Sequence, residues 1–245
     1  MKKITGIIAI LVLGIIATLT LQSCEKTDAT NLTIHFHSKA GDNDFAFDTP
    51  FDVNGVNVKI TKAQCYLSGI VFKGESSASD YAYDGYLLLH AGQENYQIGD
   101  LPDYISTIRN LNFKVGLDEA ANHDDPSMYS SDHPLSSQNP NFAHWSWDSG
   151  YRFISLEGTI DTDGDDTYET TLEFHIGGDA SLREVAVNGI NLDLTSGNQT
   201  LTIDVDWLQL LNNLDLATQS ITHTSDEPEV AAFVLNNLSS VFSKE

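Results

Sequence analysis

The stretches YRFISLEGTI (residues 151–160) and YETTLEFHI (residues 168–176) flank an acidic turn that contains one glycine. In the second stretch Leu172, Phe174 and Ile176 alternate with polar residues, and this period of two is typical of a strand with one buried face. The turn includes an Asp-Gly pair, which is a strong hairpin signal between two strand-like runs. The sequence therefore predicts an antiparallel β-hairpin at this position.

The same period of two recurs along the chain, and two continuous apolar runs add further candidate strands. These segments are Leu32–His37, Val56–Ile60, Tyr66–Phe72, Gly85–His90, Leu111–Leu117 and Leu201–Trp207. Near the C-terminus Asp226 and Glu229 form a plausible capping pair. Val230, Val234 and Leu238 then follow at helical spacing. The pattern predicts an all-β fold, a single β-sandwich of short antiparallel strands with one C-terminal helix.

The N-terminal segment has the features of an export signal. Two lysines precede an apolar run from Ile4 to Leu21, and the sequence Leu21–Cys24 resembles the processing site of bacterial lipoproteins. Residues 1–23 are therefore predicted to be a lipoprotein signal peptide, with Cys24 as the lipidated first residue of the mature protein. The alternative is an uncleaved membrane anchor, because the uncharged run approaches the roughly 20 residues needed to span a bilayer.

Both alternatives place the rest of the chain outside the cytoplasm, tethered to a membrane of the bacterial envelope. The lipoprotein would reside in the periplasm or at the outer membrane. Residues 24–30 are mostly polar and predict a short tether. Residues 31–245 follow as one domain, because no linker divides them and one β-sandwich can occupy this length.

Composition excludes several classes of function. The chain has 35 Asp+Glu against 12 Lys+Arg, a formal net charge of -23, so it cannot assemble the basic surface that nucleic acid binding requires. Its two cysteines, Cys24 and Cys65, exclude a disulfide framework and a multi-thiolate metal site. No nucleophile elbow, glycine-rich phosphate loop or zinc-protease helix is present. We therefore expect a binding protein rather than an enzyme.

One long connection, from Asp118 to Asn141, shows no convincing period and carries His123 and His133. Long irregular loops in compact domains are usually functional or mobile. The connection leads into a segment that holds Trp145 and Trp147, whose spacing predicts that both indoles share one face of an extended strand. An aromatic core cluster is one interpretation, because indoles bury large areas.

A set of motifs resembles the MbnP-like family of exported copper-binding proteins, which occur beside methanobactin genes and as lipoproteins of Bacteroidetes-type bacteria. The resemblance covers nearly the whole mature chain, although Ala143 stands where the family usually has a methionine. The motifs are, in chain order, Leu32–His37, Cys65–Ser68, Asn122-His123-x-Asp, the run Trp145-Ser146-Trp147-Asp148-Ser149-Gly150-Tyr151, Leu156-Glu157-Gly158, Phe174-His175-x-Gly177 and His223-Thr224.

The resemblance implies a copper site in which histidines bind Cu(I) together with a tryptophan oxidised to kynurenine. The oxidation is attributed to a diheme MauG-like partner. Kynurenine exposes an aniline nitrogen and a ketone, whereas an indole offers no usable donor. Trp147 is the favoured modified residue, because it adjoins the segment Asp148-Ser149-Gly150, where a bulge can aim a side chain out of the sheet, and Trp145 is the alternative.

Imidazole suits copper, and the chain has eight histidines. His123 and His175 coincide with the family's motifs and are the first candidates for metal ligands. His37 and His133 are further candidates, since His37 shares the polar face of the first strand with His35 and His133 lies in the long connection. The other histidines, His35, His90, His144 and His223, are interpreted as surface residues.

Other interpretations remain open at this point. The acidic turn from Asp161 to Asp166 offers carboxylates that calcium would accept, although a solvated hairpin turn explains them as well. The same scaffold could serve a surface adhesive or ligand-binding lipoprotein with no metal role. The chain could also act chiefly as the substrate or electron-transfer partner of a heme peroxidase.

Overall fold

The computed structural model describes residues 29–146 and 148–245. In chain order the strands are β1 (Thr30–Ala40), β2 (Asn43–Asp44), β3 (Pro50–Val53), β4 (Val56–Lys73), β5 (Tyr81–Ala82), β6 (Leu87–His90), β7 (Asn95–Leu101), β8 (Thr107–Ile108), β9 (Asn110–Val115), β10 (His144–Ser146), β11 (Gly150–Asp161), β12 (Thr170–Gly177), β13 (Arg183–Val187), β14 (Leu192–Asp193), β15 (Gly197–Asp206), β16 (Ile221–Thr222) and β17 (Phe242–Lys244). The α-helices are α1 (Glu119–Asn122) and α2 (Pro228–Val241), and short 3-10 helices cover Ser77–Ser79, Pro126–Met128, Asp179–Ser181 and Trp207–Leu211.

The smaller main sheet is built around β1, which alternates strictly between buried and half-buried residues. Leu32, Ile34 and Phe36 point into the core, while His35 and His37 lie on the outer face. On one side β1 pairs in parallel with β15, and on the other it pairs antiparallel with β7. This arrangement presents a row of polar side chains, including both histidines, on the outer surface of the sandwich.

The larger sheet has the order β13-β9-β4-β11-β12-β16. The predicted hairpin is confirmed, because β11 and β12 pair antiparallel from Arg152 opposite Gly177 to Ile160 opposite Thr170. Two segments predicted as separate strands, Val56–Ile60 and Tyr66–Phe72, are both parts of the 18-residue strand β4, since the residues between them continue the ladder with β11.

The main hydrophobic core lies between the two sheets and includes Phe36, Ile60, Phe174 and Ile203. The predicted all-β class and the sandwich architecture are confirmed. The strands are not all antiparallel, because β1 pairs with β15 and β12 pairs with β16 in parallel. Such pairs need long connections between the strands, so local sequence patterns did not indicate them.

A second, smaller core covers the outer face of the larger sheet. Leu135 of the long connection and Ala143 of the segment that follows it pack against Tyr66, Tyr151 and other side chains that point away from the main core. The Tyr151 hydroxyl donates to the Leu135 carbonyl at 2.6 Å, and the Ala143 amide donates to the Tyr66 oxygen at 3.3 Å. The connection is therefore a packed layer that holds its side chains in fixed positions.

The C-terminal helix is present as predicted, and α2 buries Val230, Val234 and Leu238. The predicted capping pair does not form, because Glu227 is the N-cap residue and makes no side-chain capping bond. Asp226 accepts instead from the backbone amides of His223 and Glu227. Among the described residues, neither helix has the length and hydrophobicity needed to cross a membrane.

Candidate metal centre

Two histidines and a glutamate meet at the edge of the larger sheet. Because β12 and β16 run in parallel with Phe174 opposite Thr222, His175 and His223 follow as neighbours, and their ring centroids are 5.3 Å apart. The Glu173 carboxylate lies 3.3 Å from His175 Nδ1 and 2.9 Å from His223 Nε2. The potential ligand atoms of these three residues lie within 4.8 Å of one another.

The two imidazoles have different electrostatic environments. His175 is buried, and burial together with the nearby Arg152 guanidinium lowers its pKa, although the Glu157 carboxylate 2.9 Å from Nε2 opposes this. His223 is more exposed, and hydrogen bonds to Asp226 and Glu173 raise its pKa. His175 is thus neutral and available as a ligand over a wider pH range, whereas protons compete for His223 at higher pH.

Thr224 fixes the segment that carries His223 against β12. Its hydroxyl oxygen accepts from the Gly177 amide at 2.9 Å and donates to the His175 carbonyl at 3.1 Å. One side chain therefore satisfies two backbone groups beyond the end of the short β16 ladder. These two hydrogen bonds of the Thr224 side chain help to fix the position of His223 relative to His175.

A cavity of about 340 Å³ opens beside the histidine pair. Its lining includes His123, Trp145, Asp179 and His223. The Trp145 ring lies over Gly177, where an added Cβ would come within 2.7 Å of the ring. The absence of a side chain at Gly177 thus allows the indole to reach the cavity next to the histidines.

His123 enters the cavity from the end of α1, and its Nε2 lies 3.2 Å from an Asp179 carboxylate oxygen. The other Asp179 oxygen accepts from the buried Asn122 side chain at 2.8 Å. The Asn122 side-chain oxygen (Oδ1) accepts in turn from the Tyr151 backbone amide at 2.8 Å. Gly150, at φ +69°, leaves the space that the Asn122 side chain occupies, as any Cβ there would clash with it.

The structure places the other two predicted ligands elsewhere. His133 lies in the long connection, where its ring stacks on Tyr129 at 4.3 Å and its Nδ1 accepts from the Leu135 amide. His37 lies on the outer face of the smaller sheet, between Asp204 and Asp44. His37 is thus on the face of the sandwich opposite to His175, and His133 packs against Tyr129 and Tyr86, so neither residue joins His123 and His175.

Sequence reasoning did not place His223 among the candidate ligands and interpreted it as a surface residue; its side chain is 41% exposed, but it also lies beside His175. It follows a two-residue strand with no detectable period, and the only available signal was the resemblance of His223-Thr224 to a family motif. Trp147, Cys24 and the predicted signal peptide lie outside the described residues.

The acidic turn between β11 and β12 uses its first carboxylate internally. The Asp161 carboxylate accepts from the amides of Gly164 at 2.7 Å and Asp166 at 3.0 Å. Carboxylate oxygens of Asp161, Asp163 and Asp165 lie within 4.8 Å of one another. Asp161 thus has a structural role in closing the hairpin turn.

The donor set of the candidate centre fits copper. Two imidazoles and one carboxylate offer ligand atoms within 4.8 Å of one another, and a third imidazole lines the adjoining cavity. Nitrogen sites bind copper more tightly than other divalent ions of the first transition row. Each histidine also contacts a carboxylate, the arrangement that orients metal-binding imidazoles in proteins.

The MbnP family profile matches residues 29–226 of the chain. Among solved structures, MbnP from Methylosinus trichosporium is similar, with a TM-score of 0.53 and 16% sequence identity over 82% of this chain and 86% of that chain. At this identity the likeness establishes the fold alone. A search of curated proteins finds no significant match. Because the family profile covers most of the chain, the protein belongs to the MbnP family.

Proposed function

We propose that this protein binds copper outside the cytoplasm, at the centre formed by His175, His223 and Glu173. The observation that carries the proposal is the approach of these three donors to within 4.8 Å of one another. Family membership supports the choice of copper over other metals. His123 lies on the adjoining cavity wall and would supply a further imidazole or guide the ion inward.

Trp147 or Trp145 would become a ligand after oxidation, and Trp145 is the one of the two that lies within the described residues. Its ring packs over Gly177 and lines the cavity together with His123 and His223. Oxidative opening of the indole would replace a ring with no metal donor by an aniline nitrogen and a ketone. A diheme peroxidase partner would supply the oxidising equivalents.

The proposed role is binding rather than catalysis. We place the protein in the bacterial envelope, in the periplasm or at the outer membrane, attached through a lipid on Cys24. The exported position and the short tether would keep the copper centre close to the membrane surface.

The test is copper titration of the purified full-length chain and of the variants H175A and H223A. Removing either imidazole should lower copper affinity by at least 10-fold, because two donors cannot replace three. Copper should also be released on acidification, since protons compete for neutral imidazole. H90A is the matched control, because His90 lies on β6 outside the centre, and it should bind as wild type.

Equal copper affinity in wild type, H175A and H223A would refute the assigned centre. Peptide mass mapping of residues 142–152, in protein isolated from its native envelope, tests the tryptophan separately. Intact tryptophans in copper-loaded protein would eliminate the kynurenine step and leave the histidine centre standing. Intact tryptophans in protein without copper would favour an adhesive or ligand-binding role.

A further inference from the structure

Two stacked histidines stand on the outer face of the smaller sheet, on the opposite side of the sandwich from the copper centre. His35 and His37 are two residues apart on β1, so their side chains point the same way. Their ring centroids are 6.2 Å apart and the ring planes differ by 20°. Both side chains are partly exposed, at 27% and 29%.

The two rings are oriented by neighbouring strands. His35 Nδ1 lies 3.1 Å from the Asn95 side-chain oxygen on β7, and His37 Nδ1 lies 3.0 Å from Asp204 on β15. Because an amide carbonyl or a carboxylate only accepts, each Nδ1 carries the hydrogen. This leaves His35 Nε2 as the acceptor of its ring, whereas both ring nitrogens of His37 face carboxylates, so His37 Nε2 also carries a hydrogen that a metal ion must displace.

Carboxylates stand next to both Nε2 atoms. Asp44 lies 3.0 Å from His37 Nε2, and Glu94 lies 3.9 Å from His35 Nε2. Neighbouring ligand atoms around a zinc ion are roughly 3.0 to 3.4 Å apart, given metal–ligand distances of about 2.0 to 2.2 Å. The Asp44 carboxylate and the His37 ring thus already have the separation of two ligands of one ion.

We propose that His35, His37 and Asp44 form a second metal site, for a divalent transition-metal ion such as Zn²⁺ or Cu²⁺. Two imidazoles on one tetrahedral ion place their centroids about 5 Å apart, given zinc–nitrogen distances of about 2.0 to 2.1 Å. In the metal-free structure the ligand atoms of these three residues do not all lie within 4.8 Å of one another, so metal binding must bring the rings about 1 Å closer and rotate these partly exposed side chains. Asp44 is 90% exposed and can follow.

Asp204 and Asn95 are positioning residues in this site. Asp204 is only 14% exposed and also contacts the Lys39 ammonium at 3.4 Å, which balances part of its charge. It therefore acts through His37 and does not compete for the ion. In the metal-free protein a proton can occupy the place of the ion between His37 and Asp44.

The experiment titrates the full-length H175A/H223A variant with Zn²⁺ alone and, separately, with Cu²⁺ alone. This background removes the two imidazoles of the assigned centre, His175 and His223, and leaves His123 in the adjoining cavity. One equivalent of ion should still bind, and adding H37A or H35A should weaken that binding at least 10-fold. T33A is the matched control, because Thr33 lies on the same strand and face, and it should leave the binding unchanged.

D204N should lower affinity by about 10 to 100-fold, and nitrogen-15 NMR of the metal-free protein should show His37 losing its Nδ1–H preference. Absence of residual binding, or residual binding that survives H35A and H37A, would overturn the proposal. If circular dichroism shows that H175A/H223A is unfolded, wild type and H37A are compared directly. The same number of bound ions in both would then refute the site.

Discussion

At the scale of single residues, the cavity depends on hydrogen bonds that hold side chains from distant parts of the chain. Asn122 makes no contact with the proposed ion but joins Asp179 to the Tyr151 backbone. Asp179 then fixes the orientation of His123. The Asn122 side-chain amide and the Asp179 carboxylate therefore support the position of the His123 imidazole in the cavity.

We expect D179N to reduce copper affinity by about 10 to 100-fold, the usual cost of losing a carboxylate that orients a metal-binding histidine. The variant should remain folded, because Asp179 is half exposed. Copper titration measures the affinity, and thermal unfolding monitors the fold. D148N removes the same charge from the lining of the same cavity and should have a smaller effect. Equal losses in D179N and D148N would indicate a general charge effect.

His90 provides a pH-dependent prediction independent of metal. Burial lowers its pKa below the unfolded value of about 6.5. The folded state therefore binds fewer protons, so this contribution to stability is present above pH 6.5 and is lost as pH falls towards the folded pKa. In metal-free protein, H90Q should show a weaker loss of unfolding free energy between pH 7 and pH 5, measured by urea denaturation. Parallel pH profiles would contradict the prediction.

At the scale of elements, the centre depends on the docking of a very short strand. β16 has only Ile221 and Thr222 in its ladder, so it cannot hold its position by pairing alone. Thr224 extends the attachment beyond the ladder with two further hydrogen bonds to β12. These hydrogen bonds hold the segment that carries His223 against the edge of the larger sheet.

T224V keeps the shape of the side chain and removes the hydroxyl. The Gly177 amide and the His175 carbonyl then lose their partner, which should destabilise the protein by about 1 to 3 kcal/mol. Copper affinity should fall in addition, because His223 is no longer held against His175. T171V is the control, since Thr171 is exposed on the same strand. Unchanged copper affinity in a destabilised T224V would show that His223 is positioned by other contacts.

At the scale of the whole molecule, the sandwich presents two histidine groups on opposite outer faces. The main core separates the His35–His37 pair from the His175–His223 pair. The high negative charge of the chain, -23, also favours cation approach to any part of its surface. Metal binding at one face should therefore leave the other face available.

The lipid anchor is a prediction for the intact chain. Replacing Cys24 with Ala should abolish lipidation, so the protein should lose its partition into the detergent phase and be released or mislocalised. Membrane fractionation and mass spectrometry of the N-terminal peptide measure both effects. A C65A variant retains the processing site and serves as the control. Unchanged processing and fractionation in C24A would instead support an uncleaved membrane anchor.

The sequence by itself determined the elements whose information is local. The alternation in β1 and β12 and the Asp-Gly turn specify strands, faces and a hairpin, because side chains on a strand change face at every residue. The same alternation correctly put His175 on the polar face with Glu173. Family motifs singled out His123 and Trp145, and both line the cavity.

Only the tertiary structure decided which histidines meet. His37 and His175 have the same local pattern, but their strands belong to different sheets whose polar faces point in opposite directions. His223 joins His175 through a parallel pair whose strands are separated by more than 40 residues. Such pairing depends on packing between distant segments, and local periodicity carries no information about it.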